Sequence, residues 1–188
     1  MPLVLTSPPG VAPVSLAAAK AHLKVDDKSE DKLIEEFIAA AVRRIELETA
    51  LALVSQKWKF YRDCWPSGAI LQIPITPVQS IDGIKVRTSA GKLLVDEKFY
   101  EVDTASSQAR IRALSGFLYP APRLNAVEIS LTAGFGDAGE NVPAPLRQAV
   151  LMLVAHWFEN REGHGEKTRA GMPVEVRDLL APWRRTSL

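Results

Sequence analysis

The glycines of GFGDAG, Gly134 to Gly139, are the first residues whose spacing could carry chemistry, because Gly-x-Gly-x-x-Gly cradles a pyrophosphate when it opens a helix. Here Glu140, Asn141 and Val142 intervene before Pro143, and the preceding region reads as antiparallel strands rather than a strand-helix-strand unit. The segment therefore reads as a tight strand-to-helix turn in which glycine supplies backbone angles that other residues resist. Metal chemistry has little to build on. His22, His156 and His164 lie far apart, Cys64 is the one cysteine, and no HExxH motif is present. Asp26, Asp27, Glu30 and Asp31 lack the ligand spacing of a calcium loop and read as solvated acids at a helix start. There is no GxSxG elbow, and Cys64 has no recognisable histidine partner and reads as a small sheet residue. No catalytic, metal or cofactor-binding residue is assigned, no cofactor is expected, and the chain reads as a non-enzyme.

Basic groups fall in short rows. Lys57 with Lys59, and Arg110 with Arg112, are two apart on predicted strands and so share a face, which reads as solvated. Arg184 and Arg185 differ in adjoining Trp183, the composition of a binding anchor. The net charge of +1 argues against a protein whose work is gripping nucleic acid, since that affinity comes largely from neutralising phosphates. With 188 residues, 47% hydrophobic and 24% charged, the chain has the make-up of one globular domain with trailing ends. A single cysteine allows no internal disulfide, which fits a reducing compartment. The start, MPLVLTSPPGVAPV, has no signal-peptide pattern and reads as an extended arm. The longest apolar stretch, Ala149 to Phe158, is about half of what a bilayer crossing needs.

The elements that must position these residues follow from periodicity. Ser15 caps a short helix to about Leu23, and Ser29 caps a long one reaching about Leu53. Leu33, Ile34, Phe37, Ile38, Ala41, Val42 and Ile45 repeat at three and four and make its buried stripe. From Gln56 to Thr132 short runs rich in Val, Ile, Phe, Tyr and Trp predict seven strands. They lie near 57–62, 69–73, 80–87, 92–95, 100–103, 109–112 and 126–133. Their connections are too short for crossover helices, so the sheet is antiparallel. A second strong helix runs from about Pro143 to Arg161, buried through Leu146, Ala149, Val150, Leu153, Val154 and Trp157. Leu151, Met152 and Phe158 widen that face, and a neighbouring subunit would supply part of the cover. A loose polar stretch after Gly163 leads to a last helix, about 174–180.

On these residues the chain resembles the head-tail connector, or adaptor, family of long-tailed phages and gene transfer agents. The resemblance spans nearly the whole chain. It rests on VSLAAAKAHLKVDDKSEDKLIEEFIAAA from Val14, QKWKFYRDCWP from Gln56, IPITPVQSI from Ile73 and FYEVD from Phe99. The most specific stretch is LTAGFGDAGENVPAPLRQAVLMLVAHWFENRE from Leu131, and LLAPWRR from Leu179 completes the pattern. Ala50 stands where the family often has glycine after the helix-closing threonine, and Phe158 where it often has tyrosine.

The resemblance implies an α+β protein with a mainly α-helical bundle core, two long helices plus short N- and C-terminal helices, and an antiparallel β-rich insertion at about 56–133. Residues 1–162 would be the connector domain and 163–188 a flexible portal-docking segment. About twelve copies would form a ring between the portal and the stopper or tail proteins in the particle neck, built in the host cytoplasm, with no membrane partner. DNA would pass through its channel without specific binding. Leu179, Leu180, Pro182, Trp183, Arg184 and Arg185 are the expected portal-docking residues. Leu151, Met152, Trp157 and Phe158 are the expected subunit interface. The alternatives are another neck protein, such as a tail terminator or completion protein, and a small α+β ligand-binding domain or enzyme, which would need a pocket of converging polar groups.

Overall fold

The Ser15 hydroxyl accepts from the Ala18 N–H and opens α1, Leu16–Leu23, in a computed structural model that describes residues 2–89, 91–160 and 172–184. Asp27, rather than Ser29, caps the next element: its carboxylate accepts from the Ser29 N–H at the start of a 3-10 turn, Lys28–Glu30. That turn runs directly into α2, Asp31–Thr49, which buries Ile34, Ile38, Ala41 and Ile45. The helix stops short of Leu53 because Ala50 takes a left-handed φ of 57°. Thr49 holds that end. Its hydroxyl donates to the Ile45 carbonyl at 2.7 Å and accepts from the Leu51 N–H at 3.3 Å, both buried. Thr49→Val keeps the shape but strands the Leu51 amide, so it should cost about 1–3 kcal/mol in a denaturant melt. A loss below a few tenths would show that water serves that amide instead.

Two further helices complete this unit, α3 at Ala144–Glu159 and α4 at Val174–Leu180. The helix α2 packs on α3, α4 packs on α3, and α1 touches both long helices. Leu146, Ala149, Val150, Leu153 and Val154 are buried on α3, and Val176 and Leu180, four apart, are buried on α4. No helix among the described residues is long and apolar enough to cross a membrane.

The strands form a separate unit. They are β1 Leu3–Ser7, β2 Gln56–Arg62, β3 Ile70–Gln72, β4 Val78–Thr88, β5 Gly91–Leu94, β6 Tyr100–Asp103, β7 Arg110–Ala113 and β8 Val127–Ala133. One sheet has the order β1-β2-β8-β4-β5 and the other β3-β7-β6, with every pairing antiparallel. The N-terminal arm is thus a strand, Leu3 opposite Phe60 and Leu5 opposite Trp58. Residues two apart share a face, so Trp58 and Phe60 on β2, Ile84 and Val86 on β4, and Ile129 and Leu131 on β8 build one buried layer. Leu71 and Ile111 do the same for the smaller sheet.

Cα packing divides the chain between these units, Met1–Pro9 with Ser55–Phe135 and Gly10–Val54 with Gly136–Leu188. The class is mixed α+β, and the strand unit has a core of its own.

Candidate assembly surfaces

The last helical segment is tied to its unit by packing and charge. Val176 and Leu180 are fully buried, so Leu180 anchors α4 rather than presenting itself outward. Leu179 and Trp183 are half-buried and Pro182 is exposed, in and just after α4. The Arg184 guanidinium bonds the Glu48 carboxylate on α2, which also faces Arg44 at 3.8 Å. Arg185 lies outside the described residues.

On α3 the four expected interface residues, Leu151, Met152, Trp157 and Phe158, are all half-buried, a step more open than their neighbours Leu153 and Val154. The Trp157 ring sits 6.2 Å from Phe37 of α2, tilted by 57°, so α2 covers part of it. Leu151 borders an open groove of about 480 Å³ between the residues before α1 and the first turns of α3, beside Val14, Ala18, Glu140 and Arg147.

The glycine pattern resolves into backbone geometry. Gly134 and Gly136 have φ of 142° and 151°, and the Asn141 side chain accepts from the Ala138 N–H across the turn. At Gly139 a Cβ would lie 2.7 Å from the Ala12 carbonyl oxygen and 3.0 Å from that of Pro13. The third glycine therefore admits another stretch of backbone, the one leading into α1.

The polar groups that converge, Glu101, Asp103, Arg110 and Arg112, line an open cleft of about 360 Å³ beside Ile70 and Val102. The half-open apolar side chains on α3 and just after α4 have the pattern of a protein made to meet other proteins. Similarity to known proteins decides which. Residues 13–101 and 118–184 match the family described as phage gp6-like head-tail connector protein. The chain belongs to that family. Among solved structures, the connector resembles a chain of the neck of an empty gene transfer agent (GTA) particle computed with C6 symmetry, at 27% identity and TM-score 0.84. It resembles a chain of the virion of a native GTA particle at 28% and 0.83, and one of the neck of a native GTA particle computed with C12 symmetry at 29% and 0.74. Each match covers 100% of the connector and 97% of the other chain. No curated protein matches it significantly.

The connector's basic rows are balanced by acids. Arg110 and Arg112 on β7 stand opposite Asp103 and Glu101 on β6, at 2.7 and 3.8 Å. The Ser106 hydroxyl and the Arg110 guanidinium hold the Asp103 carboxyl far below the usual carboxylate range. Lys59 meets Glu128 at 2.9 Å, while Lys57 stays exposed. Cys64 is exposed on the bend after β2 rather than inside a strand, because β2 ends at Arg62. Among the described residues no group of three or more His, Cys, Asp or Glu side chains is placed to hold a metal.

Two sets of apolar residues that the sequence reading left unnamed are exposed in the strand unit. Leu118, Tyr119 and Leu124 stand out on the loop before β8, propped where Phe117 packs 4.5 Å from Trp65 and 5.1 Å from Tyr119. Val4 and Leu5 on β1, and Leu93 and Leu94 on β5, are 40–61% exposed at the two ends of the larger sheet. The signal for the second set was present: LVLTS carries no charge to keep other strands away.

Proposed function

We propose that this connector is a non-catalytic ring subunit in the neck of a tailed phage or GTA-like particle, seated between the portal and the stopper or tail proteins. The single observation that carries the reading is the likeness over the full chain to chains of GTA necks, one of them computed with C12 symmetry. A ring of about twelve copies follows, each presenting two different complementary surfaces. In this reading α2 and α3 are the bundle core into which the strand unit is inserted. Leu151, Met152, Trp157 and Phe158 face the neighbouring copy, and Leu179, Pro182 and Trp183 touch the portal with Leu180 as their anchor. Arg184 would exchange Glu48 for the portal. A net charge of +1 suits a channel through which DNA slides without being gripped.

Because α4 belongs to the helical core, the test uses side-chain changes rather than truncation. Electron microscopy of the native chain mixed with its cognate portal at micromolar concentration should show rings seated on the portal. Leu179→Ala with Trp183→Ala, melting within a few degrees of the native chain, should abolish the seating. Absence of any complex with the native chain would overturn the portal reading, and normal seating of the variant would move the contact elsewhere.

A further inference from the structure

Among the described residues the larger sheet ends on two bare strands. In the order β1-β2-β8-β4-β5, β1 and β5 are each paired there on one side, and Val4 (45%), Leu5 (40%), Leu93 (52%) and Leu94 (61%) are exposed. Bare edges usually carry charges, prolines or bulges that keep other strands off. Within β1, Leu3–Ser7, there is no charge and no proline; its register against β2 shifts only after Leu5, so Leu3–Leu5 stay regular, and β5, Gly91–Leu94, holds one lysine.

The hydrogen-bond phase at each edge can be worked out. The Tyr61 N–H donates to the Pro2 carbonyl, so with the one-to-one register that follows, the amides of Leu3 and Leu5 turn away from β2. The Val95 N–H donates to the Ile84 carbonyl, so the amides of Lys92 and Leu94 turn away from β4. Each edge thus offers outward main-chain groups at two residues of the same spacing.

Strand parity sets how these edges can meet. Five strands joined by antiparallel pairings leave β1 and β5 running in the same direction. Rotation about an axis along the strands keeps both the direction and the face, so it brings β5 of one copy beside β1 of the next as a parallel pair. The faces agree as well: Leu5 lies on the side of Trp58 and Leu93 on the side of Val86, both of the buried layer. A two-fold axis would instead pair β5 with β5 antiparallel and make a closed dimer.

We infer that the connector's ring is joined by edge-strand pairing, with β5 of each copy adding in parallel to β1 of the next and Leu93 continuing the apolar layer onto Leu5. This rests on the ring reading above and names the joint. Five strands at about 4.8 Å span about 24 Å, so twelve copies trace a circle about 90 Å across, wide enough to enclose a DNA duplex.

The test places Leu5→Cys and Leu93→Cys together in a Cys64→Ser chain, assembled into rings on the cognate portal and treated with a short dimaleimide. Denaturing gels should show most of the chain in a ladder from dimer to ring, with neither single cysteine giving one. Leu5→Pro, which removes an outward amide while leaving the bonds to β2, should melt like the native chain yet lose ring formation. Rings visible by microscopy without a ladder would overturn the edge joint and leave the ring reading standing. Dimers from Leu93→Cys alone would replace the joint with a two-fold one. A chain that forms no ring under any of these conditions would overturn both.

Discussion

Replacing Lys59 and Lys92 together by methionine should destabilise the strand unit by about 3 kcal/mol at neutral pH, because it leaves the Glu128 carboxylate buried without a partner. Glu128 is 3% exposed in β8, where Lys59 of β2 reaches it at 2.9 Å and Lys92 of β5 bonds its other oxygen. Burial alone would raise its pKa, but the bonds from Lys92 and Lys59 outweigh burial and hold it below the ordinary 4.5. The native chain therefore gains stability from this group above pH 4.5 and loses it as pH falls through the depressed value. In the double variant the sign reverses. With burial unopposed, the folded pKa rises above the unfolded one, so the penalty is present at neutral pH and shrinks as acid protonates the carboxyl. Melting should fall by roughly 6–12 °C at pH 7, and the gap to the native chain should narrow toward pH 5. Adding Glu128→Met should recover much of the loss, since an apolar replacement of a buried ion cluster is often neutral. A gap that stays constant with pH would show that Glu128 reaches water in the variant.

Gly139→Ala should cost about 3 kcal/mol, at the upper end of what one inserted methyl does to a packed site. Its Cβ would meet the carbonyl oxygens of Ala12 and Pro13 at 2.7 and 3.0 Å, and main chain cannot swing aside as a side chain can. Gly68→Ala is the matched control, because nothing lies within 4 Å of a Cβ there. Chemical denaturation of the two variants separates them. Equal stability would mean that the segment before α1 simply moves away from the turn.

The helices were legible because each carries its own period. Ile34, Ile38, Ala41 and Ile45 repeat along one face of α2, and the buried residues of α3 repeat likewise. The seven strands from β2 onward were legible for a related reason, since dense Val, Ile and aromatic runs between Pro, Gly and Asp leave little else to form. The reading failed where a partner is distant in sequence. LVLTS is apolar enough for a strand, but its partner, Gln56–Arg62, lies some fifty residues on, and so the arm was read as extended without a mate. Glu128 and Lys92 are likewise 36 residues apart and are joined by the register of three strands, which no local pattern encodes. The α2 end was placed late because Ala50, an alanine, adopts the left-handed angle usually given to glycine. The family's residues identified the assembly, while the surfaces meeting in it depend on exposure that a linear pattern does not carry.

The pairing of β1 with β2, and of β2 with β8, also dictates an order of events during synthesis. Leu3–Ser7 is made well before Gln56–Arg62, its ladder partner among the described residues, which itself lies next to Val127–Ala133. At about 5–20 residues per second, on the order of ten seconds pass between the first strand and the one that completes the sheet. Through that interval α1 and α2 can close on each other locally, while the uncharged apolar strand Leu3–Ser7 waits without its partner. The segment best suited to join finished copies is therefore also the one most in need of shielding, by a chaperone or by dilution, before the chain is whole.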